Sequence, residues 1–253
     1  MTFTSILKSE LMKYKRSILW KGVFFIPVLS FILLSMDLHM RYSFLMTDEH
    51  IKSLSKFGIY DRVGALIYES HAATLWFVLL NLSIVVVAVI VNYMEYSEKT
   101  WKQLMARPVE RSKVYLSKWI VVLAAAFILV ILNGMFLIII KNLFHVQGSY
   151  NLILRYIGFE LCTILGVVSF QEFISCYMEN SLAAAAVGFA GSIGAYMLAQ
   201  SKLLSYLVPY ANVLMAMPVG DGSDACKAAF FGIVSGILWL VIGILEFNRR
   251  DIK

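Results

Sequence analysis

Residues 95 to 118 read EYSEKTWKQLMARPVERSKVYLSK, nine charged side chains in 24 positions, set between two long apolar runs. Those flanks decide the fold class, because each is long enough to form a helix that crosses a bilayer, which takes about 20 residues. The rest of the chain repeats the pattern. Of 253 residues, 60% are hydrophobic and 15% charged, and the mean hydropathy is +0.77. A soluble domain carries about 25% charged residues. The expectation is an all-α membrane protein built as one domain over 1–253.

Apolar stretches of spanning length fall at approximately 18–36, 72–93, 119–140, 155–178, 181–199 and 228–247. Only Glu179-Asn180-Ser181 separates the fourth from the fifth, and Gln171-Glu172 interrupts the fourth. With six spans, the alternate loops on one side hold Lys8, Lys13, Lys15, Arg16 and Lys21, then Lys99, Lys102, Arg107, Arg111, Lys113 and Lys118, then Arg249, Arg250 and Lys253. Short cytoplasmic loops accumulate lysine and arginine, so both termini and the 94–118 segment are expected inside. The net charge of +6 is thus spread along a topology and not gathered into a nucleic-acid patch.

The first apolar run follows a charged stretch and lacks a small-residue cleavage site, so it is expected to remain as a span. That charged stretch, residues 1–17, places Phe3, Leu7, Leu11 and Tyr14 at helical spacing, with Lys8, Lys13 and Lys15 turned elsewhere. It suits an amphipathic helix lying in the inner headgroup layer. Segments 37–71 and 200–227 are expected outside. The first is longer than ordinary connections and so suggests an ordered subdomain. In the second, Pro209 and Pro218 break an apolar stretch too short to span, leaving either a re-entrant element or an apolar cover over the bundle.

Little here points to chemistry. His39, His50, His71 and His145 fall in or beside the external loops, leaving no histidine for an intramembrane zinc site or a serine–histidine dyad. Cys162, Cys176 and Cys226 have no metal spacing and read as packing residues. Ala190-Gly191-Ser192-Ile193-Gly194 has no base beside its serine, and Gly232-Ile233-Val234-Ser235-Gly236 is a small-xxx-small spacing. Both suit close helix packing. The candidate intramembrane polar sites are Arg155, Glu160 and Glu172. Arg155 and Glu160 point different ways on one helix and would find partners elsewhere. With only Asn81 and Asn133 besides, no line of titratable groups marks an ion-coupled transporter. No GxxxxGK[ST] stretch occurs, so any work on ATP needs another subunit.

Within the opening stretch, Trp101, Leu104 and Met105 stand at i, i+3 and i+4, the apolar face of a short helix. Pro108 disfavours helix at Arg107 and stops it. A compact apolar knob ringed by charge is what a groove on a protein partner receives.

The order of these features resembles a permease of a type-2 ABC exporter. The resemblance rests on Ser9-Glu10-Leu11-Met12-Lys13, on Glu95 through Thr100-Trp101 and Ala106-Arg107-Pro108-Val109-Glu110-Arg111 to Lys118, and on Asn248-Arg249-Arg250-Asp251. The Tyr96-Ser97-Glu98-Lys99-Thr100-Trp101-Lys102 wording is most similar to the lantibiotic-immunity and peptide-antibiotic-resistance group of Gram-positive bacteria. The resemblance implies a multi-pass permease of the bacterial plasma membrane, with no cofactor of its own. It would pair with a second permease, the same or a sister chain, and with a cytosolic ATPase dimer that holds ATP and magnesium. Segment 94–118 would then contain a coupling helix, with Thr100, Trp101, Leu104, Met105 and Arg107 contacting the ATPase and Glu98 and Lys102 at the rim. An amphiphilic peptide would be the substrate. A membrane partner that relays a signal to a sensor kinase, or anchors a cytosolic protein, is the alternative.

Overall fold

The computed structural model describes residues 2–97 and 110–249, and every regular element among them is helical. Six helices are long and apolar enough to cross a membrane. They are α2 (Ile18–Leu45), α5 (Trp76–Ser97), α6 (Arg111–Leu143), α7 (Tyr150–Tyr177), α8 (Ser181–Leu198) and α11 (Ser223–Arg249). Between and before them lie α1 (Phe3–Tyr14), α3 (Asp48–Leu54), α4 (Arg62–Tyr68), α9 (Lys202–Leu207) and α10 (Pro209–Asn212).

The central core is aliphatic, with Leu80, Val85, Val91, Val121, Ala125, Leu129, Val167 and Val168 buried together between α5, α6 and α7. The most extensive helix pair is α7 with α11. It is close because of glycine. A Cβ on Gly232 would lie 2.6 Å from the Cys162 carbonyl oxygen and from Thr163 Cα, and one on Gly236 would lie 2.9 Å from Leu165 Cβ. The small-xxx-small spacing thus does what small residues do in membranes, letting backbones approach until dispersion holds them.

Gln171-Glu172 does not break the fourth span. The helix α7 runs through both residues, which are fully buried. Gln171 Nε2 donates to Ser175 Oγ and to the Ala184 carbonyl of α8, each at 3.2 Å. Asn180, in the short turn between these helices, caps α8 by accepting from Leu182 and Ala183 N–H. A polar step is enough for a turn when one asparagine satisfies the orphan donors.

Segment 37–71 is folded. The helix α2 continues to Leu45, and Thr47 and Asp61 cap α3 and α4 by accepting from His50 N–H and Gly64 N–H. These short helices cover one end of the bundle on a core of Leu34, Leu38, Leu45, Val63, Leu66, Ile140 and Ile153. Segment 200–227 reaches the same end. Gly220 N–H donates to the Gly58 carbonyl at 2.7 Å. Gly58 has φ +78°, and a Cβ there would stand 2.7 Å from Gly220 N, so this contact admits only glycine. Of the two readings of 200–227, apolar cover does not describe its middle part. Pro209, Tyr210, Ala211, Asn212, Val213 and Ala216 are buried inside the bundle.

Candidate functional site

Two buried polar clusters stand in the bundle, near its opposite ends. The first joins α1, the end of α5 and the start of α6. Lys118 is fully buried, its Nζ 3.2 Å from Glu95 Oε1, 3.4 Å from Glu10 Oε2 and 3.2 Å from the Val91 carbonyl. Lys13 Nζ reaches Glu10 Oε1 at 2.7 Å and also pairs with Glu95. Tyr14 Oη donates to the Val91 carbonyl at 3.0 Å and to Glu10 at 3.2 Å, and burial raises its pKa further above an ordinary tyrosine's. Two acids and two bases balance: Glu10, Glu95 and Lys118 are buried and compensated, and the half-buried Lys13 closes the set from its solvent side.

The cluster fixes α1 on the bundle. The face packed on the protein is Ile6, Glu10 and Tyr14, while Leu11 and Met12 are exposed. Of the apolar stripe Phe3, Leu7, Leu11 and Tyr14, Tyr14 is fully buried and Leu7 packs against the core. Glu10 faces inward, toward Lys118. Beside the cluster, Glu172 is fully buried and accepts from Asn92 Nδ2 at 3.0 Å.

The second cluster holds Glu160, with Trp76 Nε1 donating to its Oε1 at 2.8 Å and Tyr156 Oη at 2.9 Å. His71 Nδ1 lies 2.8 Å from Tyr156 Oη, and Nε2 lies 3.1 Å from the Val213 carbonyl. That carbonyl can only accept, so Nε2 carries a hydrogen. His71, which the sequence places in or beside an external loop, is fully buried. It lies in a π-helical turn, Glu69–Ala73, that joins α4 to α5. Nearby, Asn81 Nδ2 donates to the Tyr210 carbonyl at 3.0 Å, and Tyr210 Oη bonds Gln171. Side chains from three elements thus pin the buried 209–216 stretch.

Of the residues singled out from sequence, Glu160 and Glu172 lie in separate clusters. Arg155 is exposed, its guanidinium 5.9 Å from the centroid of the Phe159 ring. It points away from Glu160, as the helical spacing requires. Glu98, Thr100, Trp101, Lys102, Leu104, Met105 and Arg107 lie outside the described residues. Sequence reading missed Glu10, Lys13, Glu95, Lys118 and His71 as members of buried networks. No group of His, Cys, Asp or Glu able to hold a metal occurs among the described residues.

The family model for the ABC-2 family transporter protein matches residues 6–195. The chain belongs to this family. It is also similar to the uncharacterized membrane protein YdbK of Bacillus subtilis (strain 168), 29% identical over 205 residues, which cover 74% of this chain and 82% of that one. The ABC-2 chain is therefore a transmembrane permease subunit of an ABC transporter and a multi-pass protein of the bacterial plasma membrane. Membership implies a bilayer around the six helices and a separate ATPase as partner. Residues 98–109 connect α5 to α6 in sequence, and Glu95 and Lys118, one on each of those helices, pair in the first cluster.

Proposed function

We propose that this permease serves an exporter that expels an amphiphilic antimicrobial peptide, such as a lantibiotic, from the membrane, and so confers immunity or resistance. Both termini and segment 94–118 face the cytoplasm in this reading. Thr100, Trp101, Leu104, Met105 and Arg107 contact the ATPase, with Glu98 and Lys102 at the rim. ATP and magnesium are held by the ATPase dimer and not by this chain. A second permease, identical or a sister chain, completes the pathway, and α1 rests on the inner membrane surface through Leu11 and Met12.

The observation that carries the coupling part of this reading is the ion cluster. Glu95 and Lys118 flank the coupling segment, and Glu10 and Lys13 tie both to α1. When ATP binding closes the ATPase dimer and pulls on the segment, its two arms and α1 move together. A loosely joined pair of arms would absorb that displacement. The spans then rearrange to release the peptide. The lantibiotic-immunity wording around Tyr96–Lys102 supports the substrate class.

The test is ATPase activity of the purified complex, with and without a panel of lantibiotics, repeated with Trp101→Asp and Leu104→Asp. The expected result is peptide-stimulated hydrolysis that both substitutions abolish, together with loss of cell protection. Variants that still bind the ATPase and still protect cells overturn the coupling assignment. Hydrolysis indifferent to every peptide overturns the substrate class alone.

A further inference from the structure

On the surface of the bundle, α2 and α5 leave an apolar groove of about 320 Å³ between them. Its walls are Ile18, Gly22 and Ile26 on α2 and Leu79, Val86 and Ile90 on α5. Ser83 also lines it, but its hydroxyl is spent on the Leu79 carbonyl at 2.6 Å, so the wall offers no free donor. Gly22 opens the slot: a Cβ there would meet nothing within 4 Å. An apolar slot that no side chain fills forfeits dispersion contacts along its whole lining.

Its length is informative. At 1.5 Å rise per residue, Ile18 to Ile26 covers about 12 Å and Leu79 to Ile90 about 16 Å. Half of a hydrocarbon core about 30 Å thick is one leaflet. One turn beyond Ile90 stands Tyr93, exposed, an aromatic residue of the kind that sits at headgroup level. Beyond Ile18, in the turn from α1 to α2, stand Lys15 and Arg16, both exposed. The acids of the neighbouring cluster, Glu10 and Glu95, are already matched by Lys13 and Lys118. Among the described residues, Lys15 and Arg16 are thus surplus positive charge at the end of a chain-sized apolar slot. Arg16 can also hold a phosphate through two parallel hydrogen bonds.

We propose that this groove binds an anionic glycerophospholipid, with one acyl chain laid between α2 and α5 and the phosphate held by Lys15 and Arg16. Its assignment to the inner leaflet rests on the cytoplasmic orientation of the N-terminus given above. The bound headgroup would sit on the turn between α1 and α2. Lipid composition would then bear directly on the helix that carries Glu10 and Lys13.

The test uses the full-length permease in nanodiscs of phosphatidylcholine doped with phosphatidylglycerol that carries a diazirine on its acyl chain. After irradiation, labelled peptides are mapped by mass spectrometry. Label is expected around Gly22–Ile26 and Ser83–Ile90. Gly22→Phe, whose ring occupies the slot, should reduce that label several-fold and leave the exposed face of α11 unchanged. Val86→Trp fills the slot from the other wall and replaces Gly22→Phe should that variant fail to fold. Lys15→Gln and Arg16→Gln should each lower the preference for phosphatidylglycerol over a diazirine phosphatidylcholine by about five-fold. Equal labelling by the two lipids, or label unmoved by both slot-filling variants, overturns the proposal. So does efficient Gly22→Cys cross-linking to a second copy, which would make the groove a protein interface. A separate arm reads orientation, with Cys162, Cys176 and Cys226 replaced. If Ser9→Cys, on the exposed side of α1, reacts with an impermeant thiol reagent from outside the cell while the groove still takes the lipid, the site stands and the inner-leaflet assignment falls.

Discussion

Lys118 Nζ lies 3.2 Å from Glu95 Oε1, joining the first turns of α6 to the end of α5. Both side chains are buried, so the pair is worth more as a constraint than as a source of stability. Removing one member leaves the other charge buried without full compensation. Lys118→Met is therefore expected to cost about 3–5 kcal/mol, read as a loss of thermal stability in detergent. Lys118→Met combined with Glu95→Gln removes both charges and should recover much of that loss. The double variant should still bind the ATPase yet show hydrolysis uncoupled from peptide. Full coupling in the double variant would count against the cluster as a mechanical link.

Glu160 receives two donors on one oxygen, Trp76 Nε1 and Tyr156 Oη. Glu160→Leu orphans Trp76 Nε1, at about 1–3 kcal/mol for a buried donor left unpaired, and leaves Tyr156 Oη with His71 Nδ1 alone. Glu160→Gln keeps an acceptor oxygen at the same place and should cost clearly less. Thermal unfolding of the three proteins orders them. Equal losses for leucine and glutamine would mean that the carboxylate charge, not its hydrogen bonds, holds Trp76 and His71 in place.

What could be read from residues alone divides along physical lines. The six long helices are visible because a window of about 20 apolar residues averages over every detail of packing. Gly232 and Gly236 are visible because four-residue spacing puts them on one helix face, and Glu160 and Glu172 because a carboxylate in oil needs a partner. Lys118 and Glu95 were read only as charges that flank spans. A lysine at the edge of an apolar run can extend to water or turn inward, and the choice depends on an acid brought by another helix, here Glu10. From sequence, His71 stands in or beside an external loop because it precedes the second apolar run. Its burial comes with Tyr156 and Val213, brought from distant parts of the chain, which no local pattern announces.

Gly232 gives a packing prediction that needs no charge. Its missing Cβ would lie 2.6 Å from backbone atoms of Cys162 and Thr163, and backbone cannot rotate aside. Gly232→Ala should therefore separate α11 from α7 and lower thermal stability by about 1–3 kcal/mol, the range for an overpacked contact. Gly22→Ala, by contrast, meets open space and should be near neutral. If the two alanine variants melt alike, the close approach of α11 and α7 is not what Gly232 provides.

Glu69, outside the spans, supplies the pH dependence. Burial raises its pKa from 4.5 to about 6; the nearby Asp37 adds to this and Arg41 opposes it. His50 Nε2 stands 3.8 Å from its Oε1. A carboxyl with a raised folded-state pKa binds more protons folded than unfolded, so its contribution is complete at low pH and is lost as pH rises through about 6. The stability of the wild type relative to Glu69→Gln should accordingly fall by about 2 kcal/mol between pH of about 4.5 and about 7. Thermal unfolding of both proteins across that range gives the difference directly. A difference that stays flat, or rises with pH, would show that Glu69 is charged and fully compensated in the folded protein.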